Sequence, residues 1–341
     1  MKKFLAVFLA ALMLFSLAAC GGGGSDTTTA AGTPDTTAAP VEPGTETIAN
    51  ITVGTGGTTG TYYAFTTAVG QLLNTDSYKF TVVSTGGSQA NIEMIEDGEA
   101  QMAIVQNDVM NYAYEGTNGF TAAIKDFSVI GCVYSEVCQI VARKDSGIKT
   151  VADLKGKSVA VGDAGSGVYY NATQILAAAG IDIDKDIKKT AASFGDSATA
   201  LKDGSIDAAF ITAGTPTTAI TDLATTTDVV VVDLGDEVIA KLKADCPFYS
   251  EYTYASADYD FIADGDSAKT VAIKATFIVS NKMSEDQAYS ITKDLWEKQE
   301  EIAAAHAKGK EMSKDSAVSA VGNVPLHPGA EKYYKEIGII K

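Results

Sequence analysis

The chain has 341 residues, 43 acidic against 26 basic side chains, and a formal net charge of −17. That excess of negative charge excludes nucleic acid and anionic lipid headgroups as general partners. Arg143 is the sole arginine, so a bidentate guanidinium clamp must use it, and otherwise an anion falls to lysine or backbone N–H groups.

The chain opens with Lys2 and Lys3, an apolar run from Phe4 to Leu17, and then Leu17-Ala18-Ala19-Cys20. Small residues before a cysteine read as a lipoprotein signal, cleaved before Cys20 and followed by lipid (palmitate among the chains) on its thiol. A plain signal peptide or an uncleaved anchor is the alternative, although the run is short for a span of roughly 20 residues. Gly, Thr, Ala and Pro dominate the next stretch, to about residue 48. It cannot bury enough apolar surface to offset chain entropy, and reads as a flexible tether. The expected layout is a signal over 1–19 and the lipidated cysteine with its linker over 20–49. One lobe then takes 50–143 with 250–341, and a second takes 144–249.

From Ile51 the pattern alternates strand-like and helix-like segments, the mark of an α/β fold with largely parallel sheets. Strands are expected at Ile51 to Val53, Phe80 to Ser84 and Met102 to Val105. Between and after them the spacing predicts helices over 62–73, 88–96 and 108–114, with Phe65, Val69, Leu72 and Leu73 on one face of the first. Two apolar strands follow, 127–133 and 137–143, separated by Tyr134-Ser135-Glu136. The second lobe is expected to hold a short helix at 151–156 and strands at 158–161, 188–192, 208–211 and 229–232. Its helices fall at 166–179, closed by Gly180, and at 197–203, 216–223 and 236–244. A long strand at 271–280 returns to the first lobe. Helix follows over 284–306, with Trp296 packed, and a last helix near Ser316. Crossings between lobes are expected near Arg143 and Tyr252.

Cys132, Cys138 and Cys246 remain besides Cys20. Cys132 and Cys138 either face each other across a hairpin as a disulfide or are small buried thiols. With only His306 and His327 and no close Cys/His spacing, a zinc site is not expected, nor any other metal or cofactor.

Three glycine-rich turns join a strand to a helix: Gly54 to Tyr62, Thr85 to Ser88, and Gly162 to Gly167. Unpaired N–H groups and partial positive charge at a helix start suit a carboxylate or phosphate. Turns at the C-terminal ends of strands in open α/β sheets commonly share one cleft; the alternative is ordinary tight turns. The phosphate-loop pattern fails because Thr59 stands where the second glycine belongs, the dinucleotide fingerprint fails at Thr59 and Tyr170, and the nucleophile elbow fails at Ala164. No catalytic set is complete, so the protein is not expected to be an enzyme. Tyr62 and Tyr63, Gln106-Asn107-Asp108, Tyr134, Glu136 and Gly214-Thr215-Pro216 supply aromatic and polar groups of the kind that line small-molecule sites. Arg143 is the competing anion ligand, or simply a solvated strand end.

Five segments in order, GTGGTTGTYYAFTTAVGQLLN, TGGSQANIEMIEDGEAQMAIVQNDVMNYAYEG, DSGIKTVADLKGKSVAVGDAGSG, GSIDAAFITAGTPTTAI and PLHPGAEKYYKEIGI, resemble the TAXI family. These are the extracytoplasmic solute receptors of TRAP (tripartite ATP-independent periplasmic) transporters. The third segment is less discriminating, since receptors of ABC importers carry similar stretches. The resemblance implies a type II periplasmic-binding-protein fold, two α/β lobes joined by crossing strands with a ligand cleft between them. It implies capture of a small carboxylate (glutamate, glutamine, a 2-oxoacid or a dicarboxylate) by hinge closure, and delivery to membrane permease subunits. Carried onto this chain, the ligand lies among Thr58, Thr59, Gly60, Thr61, Tyr62, Ser88, Gln106, Asn107 and Glu136 on one side and Ser166, Gly167 and Thr215 on the other. Ala257-Asp258-Tyr259-Asp260-Phe261 stands where the family has a proline- and glycine-rich pocket segment. Partners are then a small anionic or zwitterionic solute, the permease, and the membrane through Cys20, outside the cytoplasm. An ABC-importer receptor and a sensor for a membrane kinase are the alternatives.

Cys20→Ser is expected to block processing or to release the protein from membranes into the soluble fraction. Normal maturation with membrane association intact in a fractionation experiment overturns lipidation at this residue.

Overall fold

Two long strands organise the chain. The computed structural model describes residues 42–266 and 268–341; the signal, Cys20 and most of the tether lie outside the described residues. The first parallel unit contains β1 (Asn50–Gly54), α1 (Thr61–Leu73), β2 (Lys79–Val83), α2 (Ser88–Glu96), β3 (Met102–Gln106) and α3 (Asn107–Glu115). Strand β4 (Phe127–Arg143) leads into the second unit. That unit holds β5 (Ser158–Ala160), α4 (Gly167–Ala178), β6 (Lys188–Thr190), α5 (Phe194–Lys202), β7 (Ala208–Ala213), α6 (Thr218–Ala224), β8 (Val229–Val231), α7 (Asp236–Asp245) and β9 (Ser250–Thr253). Strand β10 (Lys269–Ser280) returns, followed by α8 (Glu285–Glu297), α9 (Gln299–Ala305) and α10 (Pro328–Glu336).

The strand order is β2-β1-β3-β10-β4-β7-β5-β6, with β8 beside β4 and β9 beside β10. β1, β2 and β3 are parallel, as are β5, β6 and β7. β4 and β10 run antiparallel to each other and each serves both units. From Phe127 to Val137, β4 pairs with β10; from Val137 to Ala142 it pairs with β7. Likewise β10 pairs with β9 over Lys269 to Ala272, then with β4 and β3. β4 therefore changes partner at Val137, six residues before the crossing expected at Arg143. Both long strands are buried along nearly their whole length, which is why they read as continuous apolar runs rather than alternating ones.

Each lobe covers its sheet on both faces. In the first, Phe65 of α1 stacks on Phe277 of β10 at 6.2 Å and meets Tyr134 of β4 edge-on at 5.0 Å. Trp296 of α8 is buried there and donates to the Tyr334 hydroxyl at 2.7 Å. In the second, Val168, Ile175 and Leu176 of α4 pack with Ile140, Val159 and Phe210 of the sheet. No helix among the described residues is long and apolar enough to cross a membrane.

Several expectations are corrected. The two strands flanking Tyr134-Ser135-Glu136 are one strand. Cys132 and Cys138 therefore sit six residues apart along it, roughly 20 Å at strand rise, and cannot bridge; both are free and buried, as is Cys246. The tether ends before residue 49: the Glu46 N–H donates to the Lys282 carbonyl at 3.2 Å, and Ile48 exchanges two bonds with the Gln287 amide. The expected helix at 284–306 breaks at Lys298. Around Ser316 there is only a 3₁₀ turn. The last helix is α10, with Pro328 in its first turn and His327 as cap, its Nδ1 accepting from the Gly329 N–H. Strand β9 was not anticipated.

Phe277→Ala removes a buried ring from the strand that both lobes share. It is expected to destabilise the protein by about 3–5 kcal/mol, measured as a lower denaturation midpoint with unchanged slope.

Candidate functional site

All six parallel strands end on one cleft. From the first lobe come Gly56 and Gly57 after β1, Thr85 to Ser88 after β2, and Gln106 at the end of β3. From the second come Asp163 to Val168 in the turn after β5, Ser193 and Phe194 after β6, and Thr212 and Ala213 at the end of β7. Glu136 of the crossing strand forms part of the wall. The space free of protein atoms is about 540 Å³, part of it continuous with solvent.

The turns are held by side chains that the glycine pattern does not reveal. Asn91 of α2 donates to the carbonyls of Thr55 and Ile104 at 2.6 and 2.8 Å and accepts from the Thr85 hydroxyl at 2.6 Å. Thr55 in turn donates to the Val83 carbonyl at 2.6 Å. One buried amide thus fixes the ends of β1, β2 and β3 together. Gly87, with φ +118, brings α2 against the other lobe; a Cβ there would lie 3.3 Å from the Ser166 Cα.

Helices α1 and α4 open onto the cleft from opposite lobes with no side-chain cap, so their first N–H groups are available to an anion. The first turn of α2 differs: Gln89 and Ala90 donate to the Gly165 carbonyl of the opposite lobe at 3.0 and 3.2 Å. Gln106 Oε1 and Ser166 Oγ are buried and have no hydrogen-bond partner, although buried polar atoms are nearly always paired.

Among the described residues no lysine, arginine or histidine lines the cleft. Arg143 is at the far end of β4, paired with Asp145 at 3.1 Å and reaching Asp207 at 4.0 Å, which removes it as the anion ligand. Glu136 is buried, accepts from the Tyr62 hydroxyl at 2.6 Å, and has its carboxyl pushed up to about 8. Burial is the main cause and Asp108 adds to it, while Tyr62 and Lys308 oppose it. Lys308 is itself buried and paired with Glu311.

The structure brings Gly60, Thr61, Tyr62, Ser88, Gln106, Glu136, Ser166 and Gly167 to the cleft. It places the others elsewhere. The Thr59 carbonyl accepts from the Ala219 N–H at 3.3 Å, an interlobe contact, with Thr58 beside it in the same turn. Asn107 donates to the Ala320 carbonyl and accepts from the Lys274 N–H, at 3.0 and 2.9 Å, so both ends of its amide are committed to scaffold. Thr215 donates to Asp258 at 2.8 Å and lies 3.2 Å from the Tyr252 hydroxyl. That occupies it with the segment in which the chain departs from the TAXI pattern. Asp163, Ser193, Phe194 and Thr212 were missed. Ser193-Phe194-Gly195-Asp196 has the Ser-x-x-Asp spacing of a helix start, and the Ser193 hydroxyl does accept from the Asp196 N–H. Starting the helix at Ser197 hid it.

Two α/β lobes on two crossing strands, with the order β2-β1-β3-β10-β4 in the first lobe and a cleft at the C-terminal ends of the parallel strands of both, form the type II periplasmic-binding-protein fold. The chain belongs to the NMT1-like family, whose model matches residues 53–338. Among solved structures it is similar to a protein of Bordetella bronchiseptica RB50, with 16% identity over 86% of this chain and 90% of that one and a TM-score of 0.50. It is also similar to the alkanesulfonate-binding protein SsuA from Xanthomonas axonopodis pv. citri, solved bound to MOPS, with 16% identity over 85% and 84% of the two chains and a TM-score of 0.48. A third is GshT of Streptococcus mutans, from a study of glutathione import, with 14% identity over 83% and 99% and a TM-score of 0.49.

A Cβ at Gly167 would meet Gln106 Oε1 at 2.1 Å across the lobes. Gly167→Ala is therefore expected to wedge the lobes apart, giving a larger radius of gyration in small-angle scattering with unchanged secondary structure. An unchanged distance distribution means that Gln106 yields freely and the contact does not limit closure.

Proposed function

We propose that the protein is an extracytoplasmic solute receptor that closes its two lobes on a small zwitterionic carboxylate of the glutamate or glutamine type. The carrying observation is the pair of uncapped helix starts, α1 and α4, facing one cleft from opposite lobes beside unpartnered Gln106 Oε1 and Ser166 Oγ. They suit a carboxylate, which contacts both lobes only when these are together, so its differential affinity favours the closed form. Glu136, in a wall without basic side chains, suits the ammonium. An ammonium beside it also lowers its proton affinity by direct attraction. A 2-oxoacid or a dicarboxylate uses the same helix starts and leaves Glu136 protonated.

Gly60, Thr61, Tyr62 and Ser88 are the proposed ligand groups of the first lobe, and Ser166 and Gly167 those of the second. The proposed hinge lies where β4 and β10 pass between lobes, near Val137 and Ala272. The solute goes to a membrane permease, and the lipid on Cys20 keeps the receptor beside it. The TAXI-like segments support a TRAP permease. The segment from Asp145 to Lys157, shared in kind with ABC-importer receptors, supports the second reading; copurification with one permease class distinguishes them.

A thermal-shift screen with L-glutamate, L-glutamine, 2-oxoglutarate and succinate tests the ligand class. A saturating amino acid at a hundredfold excess over its dissociation constant is expected to stabilise the protein by about 2.7 kcal/mol. Glu136→Gln is expected to weaken the two amino acids on the order of ten- to a hundredfold, from loss of a charged hydrogen bond, and to spare 2-oxoglutarate. Equal weakening of all four, or none, overturns the role given to Glu136.

A further inference from the structure

One turn outside the cleft the lobes meet again through polar side chains: Asp108 and Asn171 are fully buried, and Tyr112, Gln174 and Tyr249 line the edge of a second pocket. Asp108 and Tyr112 stand four residues apart on α3 of the first lobe; Asn171 and Gln174 stand three apart on α4 of the second. Asn171 donates to the Asp108 carboxylate at 3.0 Å, and the Gln174 amide donates to the Tyr112 hydroxyl at 2.8 Å. Each half is built within its own lobe. Asp108 accepts from the Val109 N–H at 2.8 Å. Asn171 is oriented by Thr212, which donates to its carbonyl at 2.9 Å, and by the Tyr249 hydroxyl at 3.0 Å. Tyr249 also donates to Gln174 at 2.5 Å. Only the Asp108–Asn171 and Tyr112–Gln174 bonds, with a 3.3 Å contact from Tyr112 to the Cys246 thiol, join the two halves.

We propose that Asp108 and Asn171 form a latch between the lobes, separate from the solute contacts, and that it engages with the Asp108 carboxyl protonated. Asp108 and Asn171 are both fully buried when the lobes meet. The groups facing Asp108 are Tyr112 on its own helix, Glu136 and Cys138 from β4, Tyr170 from α4, and Cys246 and Tyr249 from the chain after α7. None is a cation, and Glu136 is a second acid. A carboxylate in this position keeps two hydrogen bonds in place of its water shell, and no counter-charge offsets that loss. Separation of the lobes breaks the Asn171 bond and returns water to Asp108.

The sign follows from linkage. In the closed form burial pushes the Asp108 carboxyl up to about 7, against the hydrogen bonds from Val109 and Asn171; in water a carboxyl of this kind titrates near ~4. Closing therefore takes up a proton between these values. The latch contributes fully below the lower one and is lost as pH rises through the upper one. Solute capture would then be firmer on the acid side of neutrality, whatever solute the cleft takes.

The inference rests on the reading of a hinged receptor but not on the identity of its solute, so its test uses the solute-free protein. Donor and acceptor dyes on Glu99→Cys and Lys202→Cys, both exposed and one in each lobe, report lobe separation by energy transfer; Cys132, Cys138 and Cys246 are buried, and Cys20 is replaced by serine. All proteins carry Glu136→Gln to remove the other buried acid. The closed-to-open ratio is expected to fall by up to about tenfold per pH unit between pH 5 and 7. Asp108→Asn keeps the shape and removes the proton, and is expected to flatten that response. Asn171→Ala is expected to lower the closed fraction at every pH. The same pH response in Asp108→Asn, an unmoved distribution in Asn171→Ala, or one fixed distance under all conditions overturns the latch. The amino-acid screen is unaffected by any of these outcomes, so failure of the latch and failure of the receptor reading stay distinguishable.

Discussion

The antiparallel pairing of β4 with β10 is the constraint on which the rest of the molecule depends. β4 gives its first part to β10 and its second to β7, and β10 pairs with β9 over Lys269 to Ala272 and with β4 and β3 beyond. A strand shared in this way cannot end or slip without moving a whole lobe, because a one-residue shift turns every side chain to the opposite face. Both strands are buried along nearly their whole length, and their pairing shifts register between Ala275 and Thr276 and between Phe277 and Ile278. The same pairing puts the two lobes edge to edge and leaves the C-terminal ends of their parallel strands opposed. The cleft is thus a consequence of topology before any side chain is chosen.

Within that frame the polar groups divide by where they find partners. Asn91, Asn107 and Thr215 satisfy carbonyls, N–H groups and hydroxyls of the scaffold and hold the rim in shape. Gln106 and Ser166 remain unpaired and face the space between lobes. Asp108 and Glu136 are acids kept from water, and burial makes both hold their protons more tightly than free carboxyls, at Glu136 against the opposing charge of Lys308. They differ in what relieves them. On the readings proposed above, the ammonium of a solute would reach Glu136, whereas separation of the lobes would return water to Asp108. Hydrogen bonds across the cleft include the buried one from Thr61 to the Gly214 carbonyl at 3.1 Å and the partly buried one from Tyr170 to Gln89 at 2.8 Å.

Much of this was legible in the residues. Apolar periodicity located α1, α2 and α4 nearly to their observed ends, and Gly180 marked the close of α4, because each of these helices packs an apolar face on its own sheet. Glycine-rich turns after β1, β2 and β5 announced the cleft, since only backbone without a Cβ permits the approach of Gly87 to Ser166 and of Gly167 to Gln106. The single arginine narrowed the guanidinium option to Arg143, and that side chain is paired with Asp145 at the far end of β4. Short or irregular elements were harder. β9 has four residues, three of them exposed or polar, and exists because β10 offers it an edge. α10 was announced only by Pro328 after a histidine cap, a weaker signal than apolar spacing.

The sequence by itself determined the alternation of strand and helix, the sites of the tight turns and the buried character of the two long strands, since each follows from local sterics or from the period of apolar residues. Tertiary structure alone decided which polar side chains meet. Asn107 and Gln106 are neighbours at the end of one strand, yet one is absorbed by Ala320 and Lys274 and the other is left open to the cleft. Asp108 finds Asn171 63 residues away. Partners so distant are set by how two lobes are brought together, and no local pattern encodes that distance.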